Sequence, residues 1–120
     1  MIEVTTDPRR RLVCARMGTM LSVAEVEAFG HQEQAAVRAM GLGDGGFDLL
    51  VQTEGNLVQT QDVMEAFGRL LTDSPLKARR IATVRAGVLT RMQSRRIMNR
   101  RSRAEVFDSV ADAEAWLAEP

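Results

Sequence analysis

Covalent catalysis needs a nucleophile beside a base, and this chain offers few of either. Its one cysteine is Cys14 and its one histidine is His31. Cys14 falls within "RLVCARMG", where a thiol on a strand packs as a small hydrophobe, while Arg16 would lower its pKa if both were exposed. His31 falls on a helical stretch about 140° round from Val26, a position that reads as solvated surface. One His and one Cys cannot supply a zinc set, so no metal and no other cofactor is expected. No catalytic residue is assigned, and the chain is read as a protein without an enzymatic activity of its own.

Two other stretches could do chemistry of another kind. "GLGDGG" at 41–46 has the glycine density of a nucleotide loop, but it ends a helical pattern and precedes a strand. A dinucleotide fingerprint follows a strand and opens a helix, so this run reads as a helix-to-strand connection. Glu33 sits between Phe29 and Val37 on the apolar side of the same helix. It is a carboxylate reaching out at the rim, the partner of an arginine of the basic segment, or a proton-dependent gate.

The arginines are the larger puzzle. Net charge is zero, with 16 basic and 16 acidic residues, yet every residue that carries charge between Ser74 and Ala104 is basic. "RMQSRRIMNRRSR" at 91–103 is the densest part. With no acid inside it for pairing at i+4, its charge is answered by the acidic remainder of the chain, by a second copy, or by an anionic partner. On a helical wheel started at Val88, Leu89 and Met92 form the core stripe. Arg91 and Arg95 flank one edge of it, Arg96 falls within it, Arg100 and Arg101 lie beyond the other edge, and Met98 points away. Arginines packing their stems over apolar neighbours in a solvated helix would give the same pattern. The candidate anion-binding residues are Arg85, Arg91, Arg95, Arg96, Arg100 and Arg101.

The elements that would carry these residues are legible from period and punctuation. "IEVTT" and "RLVCARMG" alternate around the turn signal "DPRR", which reads as an antiparallel hairpin. Ser22 with Glu25 makes a capping box for a helix carrying Val23, Val26, Phe29, Val37 and Met40. "FDLLVQT" is a strand, Thr60 to Leu71 a helix with Val63, Phe67, Leu70 and Leu71 as its stripe, and "RRIATVR" a strand. A helix over 88–100, the strand "AEVFD" and a last helix capped by Ser109 complete the order ββαβαβαβα. Strands that alternate with helices imply parallel pairing and right-handed crossovers. Polar residues at alternate strand positions place the helices mainly on one face of the sheet.

The 120 residues, 45% hydrophobic and 27% charged, fit one globular α/β domain spanning 1–120. The start carries no secretory pattern, no apolar run approaches the roughly 20 residues of a membrane span, and a lone cysteine suits a reducing compartment. The expected place is the cytoplasm, with the inner membrane surface as a peripheral site.

The pattern resembles the STAS superfamily, in particular its SpoIIAA-like branch, through "MGTMLSVAEVEAF", "RRIATVRAGVLTRMQ" and "VFDSVADAEAWLAE". The resemblance implies a mixed sheet, an N-terminal antiparallel hairpin followed by parallel strands, helices on one side, and binding or regulation in place of catalysis. In the anti-sigma antagonist branch a serine opening the second crossover helix is phosphorylated. Here Gln61 and Asp62 stand at that place, Thr60 is the nearest hydroxyl, and its expected role is helix N-cap.

The expected function is a non-catalytic STAS-like binding or regulatory module. It would engage an anionic or amphipathic small molecule, a membrane surface or an acidic protein through the segment 85–103, and a homodimer is compatible with it. The alternative is nucleic-acid binding by the same helix, against which stand four phenylalanines, one tryptophan and no tyrosine for base stacking.

Overall fold

The strands pair in the order in which they occur, and that fact fixes where the helices go. The computed structural model describes residues 1–18, 20–53, 58–85, 88–98 and 103–120, with backbone alone at 88–90 and 98. The strands are β1 (Ile2–Asp7), β2 (Leu12–Met17), β3 (Asp48–Thr53), β4 (Ile81–Val84) and β5 (Ala104–Phe107). The helices are α1 (Val23–Ala39), α2 (Gln61–Asp73), α3 (Val88–Met98) and α4 (Val110–Leu117). One five-stranded sheet runs β1-β2-β3-β4-β5, with β1 antiparallel to β2 and the remaining pairs parallel. Three right-handed crossovers stepping the same way along a sheet put their helices on the same face. That face carries α1, α2 and α3, and α4, which follows the edge strand, returns to the other.

Register assigns the side chains. Val13, Ala15 and Met17 of β2 stand beside Leu49, Val51 and Thr53 of β3, and those beside Ile81 and Thr83 of β4. With Val26, Phe29 and Val37 of α1 and Val63 and Ala66 of α2, the apolar residues among them form the main core. The opposite face offers Leu12, Leu50 and Ala82, which Ala113 and Leu117 of α4 cover. Thr5 and Arg16 on that face are exposed, as the alternation in the sequence requires of a half-solvated sheet.

Local signals explain the ends. The Ser22 hydroxyl accepts from Glu25 N–H at 3.2 Å while the Glu25 carboxylate accepts from Ser22 N–H at 3.1 Å, closing the capping box of α1. At the other end Leu42 N–H reaches Val37 C=O at 3.1 Å around Gly41, whose φ of +72° suits glycine. The "GLGDGG" run is thus the α1-to-β3 connection. Ser109 caps α4, accepting from Asp112 N–H at 3.2 Å. Thr60 differs from expectation. It occupies the N-cap position of α2, but its hydroxyl donates to the Asp62 carboxylate, and Asp62 itself accepts from Val63 N–H at 2.9 Å. A carboxylate two residues in, within the first turn, is the stronger acceptor for the orphan amide, and the hydroxyl serves to hold it.

A second difference concerns the phase of α3. Met92, expected in the core stripe, is 49% exposed, and Arg96, expected within that stripe, is exposed; among 91–97 the buried positions are Ser94 and Ile97, and the side chain of Leu89, the other residue expected in the stripe, lies outside the described residues. With Ser94 turned inward the helix meets a polar contact from the sheet, the Arg85 guanidinium, and Ile97 three residues on packs beside it. Met98's side chain, Arg100 and Arg101 lie outside the described residues.

Candidate functional site

The basic segment divides by what its side chains touch. Lys77 Nζ donates to Thr72 C=O at 3.1 Å and Ser74 C=O at 2.9 Å, which satisfies carbonyls at the end of α2. Arg79 grips both Asp48 oxygens and also donates to Leu117 C=O at 2.6 Å and Glu119 C=O at 2.9 Å. Arg80, 7% exposed, donates to Trp116 C=O at 2.5 Å and Pro120 C=O at 3.2 Å with its guanidinium 4.9 Å from the Trp116 ring centre. These three cations cap helix C-termini, where the dipole favours them. They are structural, and they answer part of the charge puzzle within the chain.

Arg85 is different. It follows β4 on the same face as Ile81 and Thr83, and there it is 7% exposed, donating from Nη1 to Ser94 Oγ of α3 at 3.2 Å. Burial pushes its pKa down from the ordinary value. A guanidinium nonetheless keeps its proton, so a positive charge stands in a poorly hydrated place where its attraction for an anion is strong.

The place is a cleft between the sheet and the three helices on that face. Its floor is Leu49, Val51, Ile81 and Thr83, with Phe29 and Gly30 of α1 on one wall and Met64, Phe67 and Leu71 of α2 on another. Its cavity volume is about 80 Å³. That is several times the roughly 10–15 Å³ one water requires. The cleft is lined by Leu76 and Ala78 ahead of β4 and by Arg85 beyond it, and the four residues of β4 between them span roughly 13 Å.

Both ends are tied by glutamines. Gln34, 7% exposed, exchanges hydrogen bonds with the Leu76 backbone, donating at 2.9 Å and accepting at 3.0 Å. At the Arg85 end, Gln59 accepts from Leu21 N–H at 3.3 Å, and its own backbone exchanges bonds with the Gln93 amide at 3.0 and 2.9 Å. The segments leading into α1 and α2 and the body of α3 therefore meet at Gln59.

Glu33 lines the cleft at the Leu76 end, half-buried, and accepts from Gln34 Nε2 at 2.8 Å. Structure thus brings two sequence candidates, Arg85 and Glu33, into one cavity. It does not gather the rest there. Arg91 pairs with Asp108, Arg95 and Arg96 are exposed with no carboxylate partner among the described residues, and Arg100 and Arg101 lie outside those residues. His31 is exposed on α1 and Cys14 is half-buried on the opposite face of the sheet, where burial pushes the thiol pKa up. No group of three or more His, Cys, Asp or Glu able to hold a metal occurs among the described residues. Thr83, Ser94, Gln34 and Gln59 escaped the sequence reading. A signal existed for Thr83, since "IATVR" alternates and puts a hydroxyl and then a guanidinium where an inward strand face should be apolar.

No family model matches the chain, and no curated protein matches it. The residues alone carry the functional reading.

Proposed function

We propose that this protein is a non-catalytic binding module of the STAS-like, SpoIIAA-like kind, whose cleft takes the apolar chain of an anionic amphiphile. The observation that carries the reading is the position of Arg85, a desolvated cation at one end of a long apolar cleft, with the Ser94 hydroxyl beside it. Ligand sites of this type combine an apolar lining with a few convergent polar groups that fix orientation. The chain of the amphiphile lies along Leu49, Val51 and Ile81, and its acidic group faces Arg85 and Ser94. Arg91, Arg95 and Arg96 on the following helix add to the positive field at that end. The mixed five-stranded sheet with a leading hairpin supports the STAS-like assignment, and the separation of Cys14 from His31 supports a protein that binds without turning over.

The test compares a long-chain carboxylate with the alcohol of equal chain length by titration calorimetry. The carboxylate is expected to bind at least tenfold more tightly, and Arg85→Met to remove that preference while leaving alcohol binding within about threefold. Equal affinity of the unaltered protein for both molecules, or binding of neither, overturns the reading.

A further inference from the structure

Among the described residues four large apolar side chains are exposed, Met1, Met20, Val58 and Met92. Three of them share one place. Met20 precedes Leu21, Val58 precedes Gln59 and Met92 precedes Gln93, and it is Leu21, Gln59 and Gln93 that are joined by the three hydrogen bonds of the Gln59 junction. Each exposed residue lies one Cα step, about 3.8 Å, from a member of that junction. Their exposures are 64%, 47% and 49%, so three apolar side chains from three separate segments are open to water, each next in the chain to a member of one junction. Scattered single apolar residues are ordinary on a surface, but a gathered set marks a contact.

Charge surrounds this set. Arg95 and Arg96 follow Met92 by three and four residues, which places them on its side of α3. Both are exposed and neither has a carboxylate partner among the described residues. Arg91, the residue before Met92, is held by Asp108. The same junction borders the cleft, since Leu21, Gln59 and Ser94 all line it.

We propose that Met20, Val58 and Met92, flanked by Arg95 and Arg96, form a surface that docks on an anionic lipid bilayer. Thioether and isopropyl side chains enter the boundary between headgroups and acyl chains, while guanidinium groups stay at headgroup level and meet phosphate. Each arginine near such a surface strengthens binding roughly fivefold at low salt. Nucleic acid suits the surface less well, because the aromatic rings that stack on bases are elsewhere. Phe29 and Phe47 are buried, Phe67 is half-buried in the cleft wall, and Phe107 packs on Trp116 at 5.5 Å on the α4 face of the sheet. The inference rests on the proposed cleft in one respect only, that docking brings the cleft's Arg85 end to the source of an amphiphile.

The experiment is co-sedimentation of the full chain with vesicles of phosphatidylcholine alone and of phosphatidylcholine with phosphatidylglycerol, over a salt series, with duplex DNA alongside. The unaltered protein is expected to partition onto anionic vesicles and to weaken as salt rises. The triple variant Met20→Ser, Val58→Ser, Met92→Ser is expected to lose at least tenfold at constant salt, and Arg95→Gln with Arg96→Gln to lose about twentyfold and flatten the salt series. The charge-matched control, Arg38→Gln with Arg69→Gln at exposed sites on α1 and α2, is expected to stay within about twofold. All three variants alter exposed positions, and their melting curves should match the unaltered protein. Unchanged binding of the triple serine variant, an equal loss in the control pair, tighter binding to DNA, or no binding to anionic vesicles overturns the proposal. Amphiphile titration in parallel separates the two readings: retained docking without cargo binding removes only the cleft reading, and the converse removes only this one.

Discussion

Arg79 holds both carboxylate oxygens of Asp48, at 3.0 and 2.9 Å, and with its other N–H groups holds the backbone at Leu117 and Glu119. One side chain therefore joins the start of β3 to the end of α4. The Asp48 side chain is 12% exposed and that of Arg79 is 28% exposed, so solvent screens the pair only in part. Asp48→Asn should cost about 1–3 kcal/mol in urea unfolding. Arg79→Gln should cost more, since it also strips two carbonyls at the C-terminal end of α4 of their donor. Equal losses would show that the cap adds nothing to the ion pair.

Gly30 of α1 faces Leu70 of α2 so closely that a β-carbon would stand 2.5 Å from Leu70 Cδ2. The obstructing atom is the end of a rotatable side chain, and alanine gains roughly 1 kcal/mol in a helix interior, so Gly30→Ala should change stability by less than about 1 kcal/mol. Gly30→Val adds branches that Leu70 cannot clear together with the cleft wall, and should cost about 1–3 kcal/mol. Thermal unfolding of the two variants separates a close helix contact from an ordinary glycine.

Burial pushes the Cys14 thiol up, against smaller opposing attraction from Arg10. A raised folded pKa means that the neutral thiol is the form the fold favours. Its contribution to stability is present below the unfolded pKa, near 8.5, and is lost as pH rises through the folded value. Reaction with a disulfide reagent should be slow at neutral pH, accelerate as the solution becomes alkaline, and remain slower than for the unfolded chain throughout. A fast, pH-independent reaction at neutral pH would contradict the burial argument.

The hairpin, the crossovers and every helix were legible because each is punctuated locally. Ser22 and Glu25 close their own box, Gly41 turns the chain, and β2 and β4 alternate with the period of a strand. What was not legible depends on residues far apart. The carbonyl partners of Arg80 lie 36 and 40 residues away, at Trp116 and Pro120, so sequence could only show unanswered charge. The cleft is a gap between elements and leaves no pattern of its own. Its charged end was half visible, because Arg85 was among the candidates while Ser94 was not. Helix α3 shows why: its rotation brings Ser94 to Arg85 and Gln93 to Gln59, and contacts with residues 9 and 34 positions away leave no trace in the helical period.

Thr60 donates its hydroxyl to Asp62, which lowers the Asp62 pKa, helped by the amide of Val63. A depressed carboxylate pKa contributes stability above the ordinary aspartate range and loses it as pH falls through the folded value. Thr60→Ala should therefore lower the neutral plateau of the stability curve and flatten its acid limb, the two curves converging at low pH, as followed by circular dichroism. Phosphate on Thr60 would meet the Asp62 carboxylate at close range, so phosphorylation here should destabilise the first turn of α2. A phosphorylated protein with a stabilised α2 would reverse this reading.

The Gln59 junction makes the sharpest demand on the structure. Gln59 is 7% exposed and its backbone N–H and C=O are both bonded to one side chain, the amide of Gln93. Removing that amide leaves two groups of a buried residue to find new partners, a cost of about 1–3 kcal/mol for each that finds none. Gln93→Ala should therefore lower stability by more than the loss of a surface glutamine would, and Gln93→Glu should fall between, because a carboxylate can accept from Gln59 N–H but cannot donate to its carbonyl. Hydrogen exchange locates the effect. In Gln93→Ala the amide of Gln59 should lose protection most, the amide of Leu21 should follow because the Gln59 side chain holds it, and the amide of Leu76, held by Gln34 at the far end of the cleft, should keep its protection. Loss of protection at both ends together would mean that the three helices open as one unit, and the two glutamine ties would then be parts of a single cooperative closure.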